Sequence, residues 1–238
     1  MIVDLALITR ELHDVLAASE APRLDHLALA IAGLDDEPVD AGAVLAKLDG
    51  WGERVRLASQ GSRYVGVEAI EGILAGEEGL RGDDDDYDDP RNSFLPRVLE
   101  RRRGLPITLS IIYLEVARRA GVPLFGLALP GHFVVGYDLG DHQLVALDPF
   151  AGGRILDRPE LAAICARAGT TLGPALLVPA TPRVIATRML RNLVGSYQRR
   201  RRPDQLRAAA QLLLALEPDS PGLRRILDDA ERPDRPLN

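Results

Sequence analysis

Residues 103–149 restrict the fold of this chain more strongly than any other stretch of its sequence. The segment GLPITLSIIYLEVARRAG predicts a helix, because Pro106 stands near its first turn, where a missing N–H costs least. Gly121 follows two arginines that complement the helix dipole, and glycine commonly ends a helix. The runs LFGLAL, HFVVGYD, QLVALDP and GRIL come next, separated by turn sequences that contain glycine. This order predicts a buried central helix followed by an antiparallel meander of short strands. One apolar side of the helix is formed by Ile107, Ile111, Leu114 and Ala117.

His132 and Asp148 lie on neighbouring strands of this meander, in the sequences PGHFVV and ALDPF. A hairpin that turns through 139–141 pairs Asp138 with His142 and, in the same register, His132 with Asp148. Directly opposed residues point to the same face of a sheet, so this register predicts contact between the imidazole and the carboxylate. Such a pair activates the nucleophile in a catalytic triad. Two structural alternatives stay open: a strand-end histidine satisfied by backbone, and an Asp-Pro turn that closes the strand.

Helical patterns flank the central stretch on both sides. From Ile2 to about Gly79 apolar residues recur at helix spacing, and none of these segments assembles groups that could do chemistry. After LGPALLVPA, which we predict to be the last strand, Thr181 and Pro182 begin a helix, and a second helix runs over 204–216. The apolar spacing of these two helices resembles one tetratricopeptide repeat. The residues that carry this resemblance are Leu190, Leu193, Tyr197 and Pro218.

Composition excludes several classes of protein. A hydrophobic share of 46% and a charged share of 27% over 238 residues are typical of a soluble globular chain. No apolar run reaches transmembrane length, and the N-terminal MIVDLALITRELHDVL contains acids that a signal peptide lacks, which predicts a cytoplasmic protein with no membrane partner. The single cysteine, Cys165, excludes an intramolecular disulfide framework and a thiolate-rich metal site.

Two runs of charge interrupt this composition. The run Arg199–Arg202 could bind a phosphate or an acidic partner locally, but a net charge of −6 disfavours broad nucleic-acid affinity, and the simpler interpretation is a solvated loop between helices. The six aspartates within Asp83–Asp89 lack the central glycine and closing glutamate of a calcium loop. We therefore predict a structural role for them, at the approach to a helix N-terminus.

The block DDYDDPRNSFLPRVLERRRGLPITLSIIYLEVARRAGVPL, followed by PGHFVV and LDPF, resembles the bacterial SirB-type branch of the transglutaminase-like superfamily over nearly the whole chain. The resemblance implies a papain-like α+β fold, with an N-terminal helical region at 1–82, a transglutaminase-like core at 83–180 in which the central helix packs on an antiparallel sheet, and a C-terminal helical hairpin at 181–238. It also implies that His132 and Asp148 occupy the histidine and aspartate positions of the family.

The family's cysteine nucleophile falls near Pro106 or Ile107, and neither residue can attack a substrate. Thr108 and Ser110 are the nearest hydroxyls, but a hydroxyl one turn into the helix is about 5 Å from the N-terminal donors that stabilise an oxyanion. Cys165 comes after the aspartate in the chain, within a predicted core stripe, which indicates a buried thiol. We expect the cleft to be lined by Pro106, Ile107, Asn92 and Phe133.

Three hypotheses follow from this pattern. The first is a binding or scaffold module without transglutaminase chemistry, which uses the His132 and Asp148 cleft for a protein or peptide and needs no cofactor or metal. The second is a hydrolase or acyltransferase in which Ser110 or Thr108 is the nucleophile activated by that pair. A third, a regulatory partner of nucleic-acid machinery working through Arg199–Arg202, rests on charge alone. The first hypothesis leads because it needs no unusual nucleophile, and the oligomeric state stays open.

Overall fold

Helices occupy both ends of the chain, and a small sheet lies between them in sequence. A computed structural model describes residues 4–17, 23–138 and 144–230. The α+β fold class predicted from the sequence is confirmed. The helices are α1 (Leu5–Ala17), α2 (Leu24–Ala32), α3 (Ala41–Ser59), α4 (Arg63–Glu71), α5 (Leu95–Arg101), α6 (Pro106–Ala120), α7 (Arg158–Arg167), α8 (Pro182–Arg199), α9 (Pro203–Leu216) and α10 (Pro221–Ala230). The strands are β1 (Arg81–Gly82), β2 (Arg103–Gly104), β3 (Leu124–Leu127), β4 (Val134–Asp138), β5 (Leu144–Asp148) and β6 (Arg154–Leu156).

The predicted central helix is α6, and both of its ends follow the sequence signals. Pro106 is its first residue, and Gly121 ends it at φ 74°, with its N–H donating to the carbonyls of Ala117 and Arg118. Every residue over 106–117 is buried, so the prediction of a buried central helix is confirmed, and the cover extends to all sides of the helix. The reason is that α2, α3 and α4 pack against it as well as α5, α8 and the strands β3 and β4.

The sheet is an antiparallel meander with the strand order β3-β4-β5-β6. Its register between β4 and β5 differs by two residues from the predicted one, because β4 and β5 are joined by 139–143 and not by the shorter turn through 139–141. That shorter turn and His142 lie outside the described residues. A shift of two residues preserves the face to which every side chain points. The observed pairs are Asp138 with Leu144, Tyr137 with Val145, Gly136 with Ala146, and Val135 with Leu147.

The segment LGPALLVPA is not a strand, and its prediction as the last strand is wrong. It contains a short 3₁₀ turn at Pro174–Leu176, and one backbone bond, from the N–H of Ala180 to the carbonyl of Gly126, joins it to β3 at 2.8 Å. Pro174 and Pro179 lack the N–H that a ladder of hydrogen bonds needs.

The C-terminal helices begin as predicted and pack on the same core as α6. The Thr181 hydroxyl caps α8 by accepting a hydrogen bond from the N–H of Val184 at 3.3 Å, and Pro182 is the first helical residue. One apolar cluster includes buried side chains of α1, α3, α6, α8 and α9, and a smaller cluster lies on the other side of the sheet. Buried side chains that connect the regions within the larger cluster are Leu12, Trp51, Ile112, Tyr113, Leu190, Leu193 and Leu213. The domain boundaries near 82 and 180 stay a prediction.

The acidic run holds α8 against the rest of the chain. The Ser196 hydroxyl donates to the backbone carbonyl of Asp88, and the Nε of Arg200 donates to the same carbonyl at 3.0 Å. Arg199 pairs with the Asp88 carboxylate at 2.6 Å, and Arg200 pairs with Asp86. A structural role for the acidic run is therefore confirmed, but these contacts are with the C-terminal end of α8 and not with the helix N-terminus that was predicted. Arg199 and Arg200 are exposed, but both form ion pairs with these aspartates. The expectation that the arginine run is only a solvated loop is therefore corrected.

Within the ranges that the structure covers, no helix is both long and apolar enough to cross a bilayer.

Candidate functional site

His132 and Asp148 are in contact at one end of the meander. The His132 Nε2 lies 2.9 Å from the Asp148 Oδ2, so the predicted contact is confirmed although the predicted register is wrong. Asp148 is the last residue of β5, and His132 stands two residues before β4. The observed pairing of β4 with β5 ends at Val135 and Leu147, so His132 reaches the Asp148 carboxylate from the segment just before β4. His132 is fixed further by its backbone N–H, which donates to the carbonyl of Leu129 at 3.2 Å.

Asp148 serves the turn and the histidine at the same time. Its Oδ1 accepts hydrogen bonds from the backbone N–H of Phe150 at 3.0 Å and of Ala151 at 3.4 Å, while its Oδ2 faces His132. The Asp-Pro turn and the imidazole contact are thus compatible uses of one carboxylate. An ionised carboxylate can only accept hydrogen bonds, so we assign the proton between the two residues to the Nε2 of His132. The Nδ1 is the ring nitrogen of His132 that does not face Asp148.

The Phe150 ring packs against His132 and is itself contacted by Tyr87 and Gly82, and no sequence motif predicted these contacts. The Phe150 ring meets the imidazole edge to face, with centroids 6.1 Å apart, and Tyr87 meets Phe150 in the same way at 5.9 Å. Gly82 donates its N–H to the carbonyl of Phe150 at 2.8 Å, and a Cβ at Gly82 would lie 2.5 Å from the Phe150 ring. The small residue at this point lets the ring lie flat on β1. The nearest sequence signal is the LDPF motif, which predicted a role for its aspartate but none for its phenylalanine.

The candidate nucleophiles are buried inside α6. Thr108 and Ser110 have no exposed surface. The Ser110 hydroxyl donates to the carbonyl of Phe133 at 3.5 Å, and the Thr108 hydroxyl has no hydrogen-bond partner among the described residues. Neither hydroxyl is hydrogen-bonded to His132, whose side chain bonds Asp148. Cys165 is fully buried in the smaller apolar cluster, as predicted.

The residues predicted to line the cleft are also buried. Pro106, Ile107 and Phe133 contribute to the packing around α6. The Asn92 amide donates to the carbonyl of Asp86 at 2.8 Å and accepts from Arg101 at 2.9 Å, so it braces the acidic run. Their role as cleft residues stays a prediction.

Tyr113 lies beneath the Asp148 turn. Its hydroxyl is buried, and no partner for it exists in the described part of the chain. Burial raises the pKa of Tyr113, and the nearby carboxylates of Glu71 and Asp148 add to this effect, so the phenol stays neutral. A Cβ at Gly153 would lie 3.0 Å from this hydroxyl, and the Gly153 N–H donates to the Asp148 carbonyl at 2.8 Å. Tyr113 thus supports the turn that orients the Asp148 carboxylate.

Comparison with known proteins identifies the family of the chain. A family model described as the transglutaminase-like superfamily matches residues 42–191, which is more than half of the chain. The chain belongs to this superfamily. A UPF0162 protein of Xylella fastidiosa is 43% identical over 164 residues, which cover 65% of this chain and 57% of the relative. A UPF0162 protein of Pseudomonas aeruginosa is 34% identical over 207 residues, covering 84% of this chain and 74% of the relative. This chain therefore spans little more than half the length of the Xylella relative.

Two further proteins share the fold or part of the sequence of this transglutaminase-like chain. Mouse F-box only protein 21 is 32% identical over 164 residues, which cover 64% of this chain and 26% of that protein. A crystal structure of menin that reveals its binding site for the Mixed Lineage Leukemia protein has a TM-score of 0.50 and 13% sequence identity. The match covers 96% of this chain and 61% of menin, and at this identity it shows similarity of fold alone.

A cavity of about 650 Å³ opens at the turn that precedes His132, and neither His132 nor Asp148 lines it. Gly131, the neighbour of His132, lies on one side of it, and the first half of α8 lies on the other. Its remaining wall is formed by the end of α9. The cavity is lined by Ala128, Gly131, Thr181, Arg183, Val184, Thr187, Arg188, Arg191, Asn192, Leu216 and Glu217.

No group of three or more metal-ligating side chains occurs within residues 4–17, 23–138 and 144–230.

Proposed function

We propose that this transglutaminase-like protein is a non-catalytic binding or scaffold module that holds a protein or peptide at the His132 and Asp148 site. The observation that carries the proposal is an intact imidazole–carboxylate pair whose candidate nucleophiles, Thr108 and Ser110, are buried. Thr108 and Ser110 have no exposed surface and no hydrogen bond to His132. A nucleophile must be within hydrogen-bond reach of its base, either directly or through one water.

The surroundings of the pair support binding of a polypeptide. The His132 side chain is 18% exposed, and its Nδ1 offers one oriented hydrogen-bonding group. Tyr87 is 44% exposed and continues the aromatic surface of Phe150 beside it. Oriented polar groups next to aromatic side chains are typical of sites that recognise peptides. Menin, which shares this fold, has a binding site for another protein, and this chain could use the fold in the same general way.

Finer assignments belong to the same proposal. We place the chain in the SirB-type branch of the superfamily, in agreement with the block around α6 and the LDPF motif. The helices α8, α9 and α10 would form a tetratricopeptide-like end, and the protein would act in the cytoplasm. No cofactor is needed for binding of this kind.

The competing function is a hydrolase or acyltransferase in which Ser110 or Thr108 attacks after activation by His132. The feature that favours it is the Thr108 hydroxyl, which is buried and has no partner in the described chain. For catalysis, α6 would have to move so that this hydroxyl reached the imidazole. The two functions therefore differ in one measurable property, the reactivity of a hydroxyl that depends on His132.

The test combines labelling with binding in the full chain. We expect that fluorophosphonate and iodoacetamide give no labelling that depends on His132. We also expect that the chain retains a randomised octapeptide pool and that His132→Ala retains this pool more weakly. His13→Ala is the matched control, because His13 is an exposed histidine on α1, and it should bind the pool as the unmodified chain does. Labelling that is lost in both His132→Ala and either Thr108→Val or Ser110→Ala would establish the enzyme instead. A pool retained equally by His132→Ala would move the binding site elsewhere.

A further inference from the structure

The cavity beside Gly131 has an unusual balance of charge for a partly enclosed space. Its lining contains three arginines from α8, Arg183, Arg188 and Arg191, and one acid, Glu217. Arg191 is paired with Glu217 at 2.6 Å. The Arg183 guanidinium donates to the carbonyl of Leu216 at 2.7 Å, which uses a donor without neutralising the charge. The cavity is therefore positively charged although the whole chain carries a net charge of −6.

Arg188 is the arginine that the fold leaves uncompensated. It is half-buried, and its Nη1 donates to the carbonyl of Leu129 at 2.6 Å. No carboxylate among the described residues pairs with it. Burial lowers the pKa of Arg188, and the positive charge of Arg191 lowers it further, whereas Tyr87 acts in the opposite direction. A guanidinium stays charged in proteins, so the chain bears the cost of desolvating this cation without a matching anion.

The rest of the cavity wall adds to the attraction for an anion. Thr181 is the N-cap of α8 and Val184 belongs to its first turn, and the N-terminus of this 18-residue helix carries a partial positive charge. Thr187 and Asn192 supply a hydroxyl and an amide that can donate hydrogen bonds. An anion in this space would meet a planar guanidinium and neutral donors, although the Val184 N–H at the helix N-terminus is already bonded to Thr181.

The position of the cavity connects it with the imidazole–carboxylate pair. Gly131 lines the cavity and is covalently joined to His132, and the carbonyl that accepts from Arg188 belongs to Leu129 in the same turn. The Leu129 carbonyl also accepts from the backbone N–H of His132. The Arg188 side chain and the His132 backbone are therefore bonded to one carbonyl oxygen, which places the cavity at the turn that carries His132.

We propose that this cavity binds a carboxylate of the polypeptide held at the His132 and Asp148 site, and that Arg188 is its principal anchor. The inference rests on the proposed function and specifies the chemistry of the partner. The carboxylate belongs either to an Asp or Glu side chain or to the C-terminus of the partner. A guanidinium fork matches a carboxylate with two parallel hydrogen bonds, which a neutral amide cannot accept.

The experiment compares randomised octapeptide pools that end in a free carboxylate or in an amide, each retained by the full chain and sequenced. Enrichment of Asp or Glu in both pools indicates a side-chain carboxylate, and retention of the free-acid pool alone indicates a C-terminal one. Either result supports the proposal if Arg188→Gln weakens the Kd of the most enriched peptide by about 10- to 100-fold, the range of a charge-assisted hydrogen bond. Arg188→Lys should bind with intermediate affinity, because it keeps the charge and loses the fork.

The control is Arg56→Gln, which removes an exposed arginine paired with Glu53 on α3, a helix that does not line the cavity. It should leave the Kd unchanged, and an equal loss in both variants would overturn the proposal in favour of long-range attraction. Unchanged thermal unfolding of Arg188→Gln and Arg188→Lys establishes that both variants are folded. Peptides retained through His132 without any acidic preference overturn the inference and leave the proposed function intact. Retention of neither pool overturns both.

Discussion

Asp25, on α2, has no exposed surface and forms part of the connection between α2 and the central helix. Burial opposes its ionisation, but hydrogen bonds from Arg23 and Arg119 outweigh burial and lower the pKa of Asp25 to about 2. Arg119 lies on α6 and also pairs with Glu115 at 2.5 Å, and the Glu115 carboxylate accepts the backbone N–H of Leu24 at 2.8 Å. The network is satisfied on both sides, so removing one member leaves charges without partners.

We predict that Asp25→Asn lowers the free energy of unfolding by about 2 kcal/mol at neutral pH, the value of a pKa displaced from 3.8 to about 2. The pKa is depressed in the folded chain, so the stabilisation is complete above the ordinary value of 3.8 and is lost as pH falls toward and through about 2. Urea unfolding from pH 7 to pH 2 should show the two chains converging at the acid end. Glu53→Gln is the control, since it breaks an exposed pair with Arg56, and its unfolding curve should match that of the unmodified chain. A constant difference across the whole pH range would contradict the assignment.

At the scale of the element, α3 packs against α6 through a glycine. A Cβ at Gly52 would lie 2.4 Å from the Cβ of Arg119, so the two helices approach too closely for a larger residue. Gly50 is on the same helix and is exposed, with nothing within 4 Å of the position of its Cβ. Both glycines therefore lie within α3, but only Gly52 is packed against another helix.

Substitution of these glycines by alanine should have opposite effects. Gly52→Ala should destabilise the chain by about 1–3 kcal/mol because it overpacks the contact between α3 and α6. Gly50→Ala should stabilise it by about 0.5–1 kcal/mol because alanine restricts the unfolded chain and fits a helix. Chemical denaturation of the two variants measures both values. Equal shifts in the same direction would show that helix propensity, and not the helix contact, governs both sites.

At the scale of the whole molecule, the N-terminal helices, α6 and the C-terminal helices share one apolar cluster. Trp51 is the single tryptophan, lies on α3 and is 4% exposed, so its fluorescence reports on the N-terminal helices. Leu190 is fully buried on α8, within the same cluster. The three regions that the sequence suggests are thus joined by continuous packing, and their unfolding is expected to be cooperative.

Leu190→Ala should lower the unfolding midpoint seen by Trp51 fluorescence as much as the midpoint seen by far-UV circular dichroism. The expected loss is about 2–5 kcal/mol, because the substitution leaves a cavity in the shared core. Leu57→Ala is the control: Leu57 is on α3 with Trp51 but is 61% exposed, and its loss should barely move either midpoint. Two separated transitions in Leu190→Ala would mean that the C-terminal helices unfold as an independent unit.

The sequence by itself determined the features that depend on neighbouring residues. The proline and glycine at the ends of α6, the Thr181 cap and the runs of the meander are local signals, and each was confirmed where the structure describes it. The contact of His132 with Asp148 was also predictable, because adjacent antiparallel strands bring such residues to one face. The register of the two strands was not predictable, because the alternation of apolar residues does not reveal the length of the connection over 139–143. The error of two residues left each side chain on its predicted face, whereas an error of one or three residues would have reversed the faces.

Only the tertiary structure decided the features that depend on distant elements. Burial of Thr108 and Ser110 follows from the cover that α2, α3, α8 and the sheet place around α6, which no pattern within α6 could reveal. The cationic cavity arises because α8 brings Arg188 to the turn before His132 from a separate part of the sequence. Periodicity identifies which side of a helix is apolar, whereas the partner of each side is selected by the packing of the complete chain.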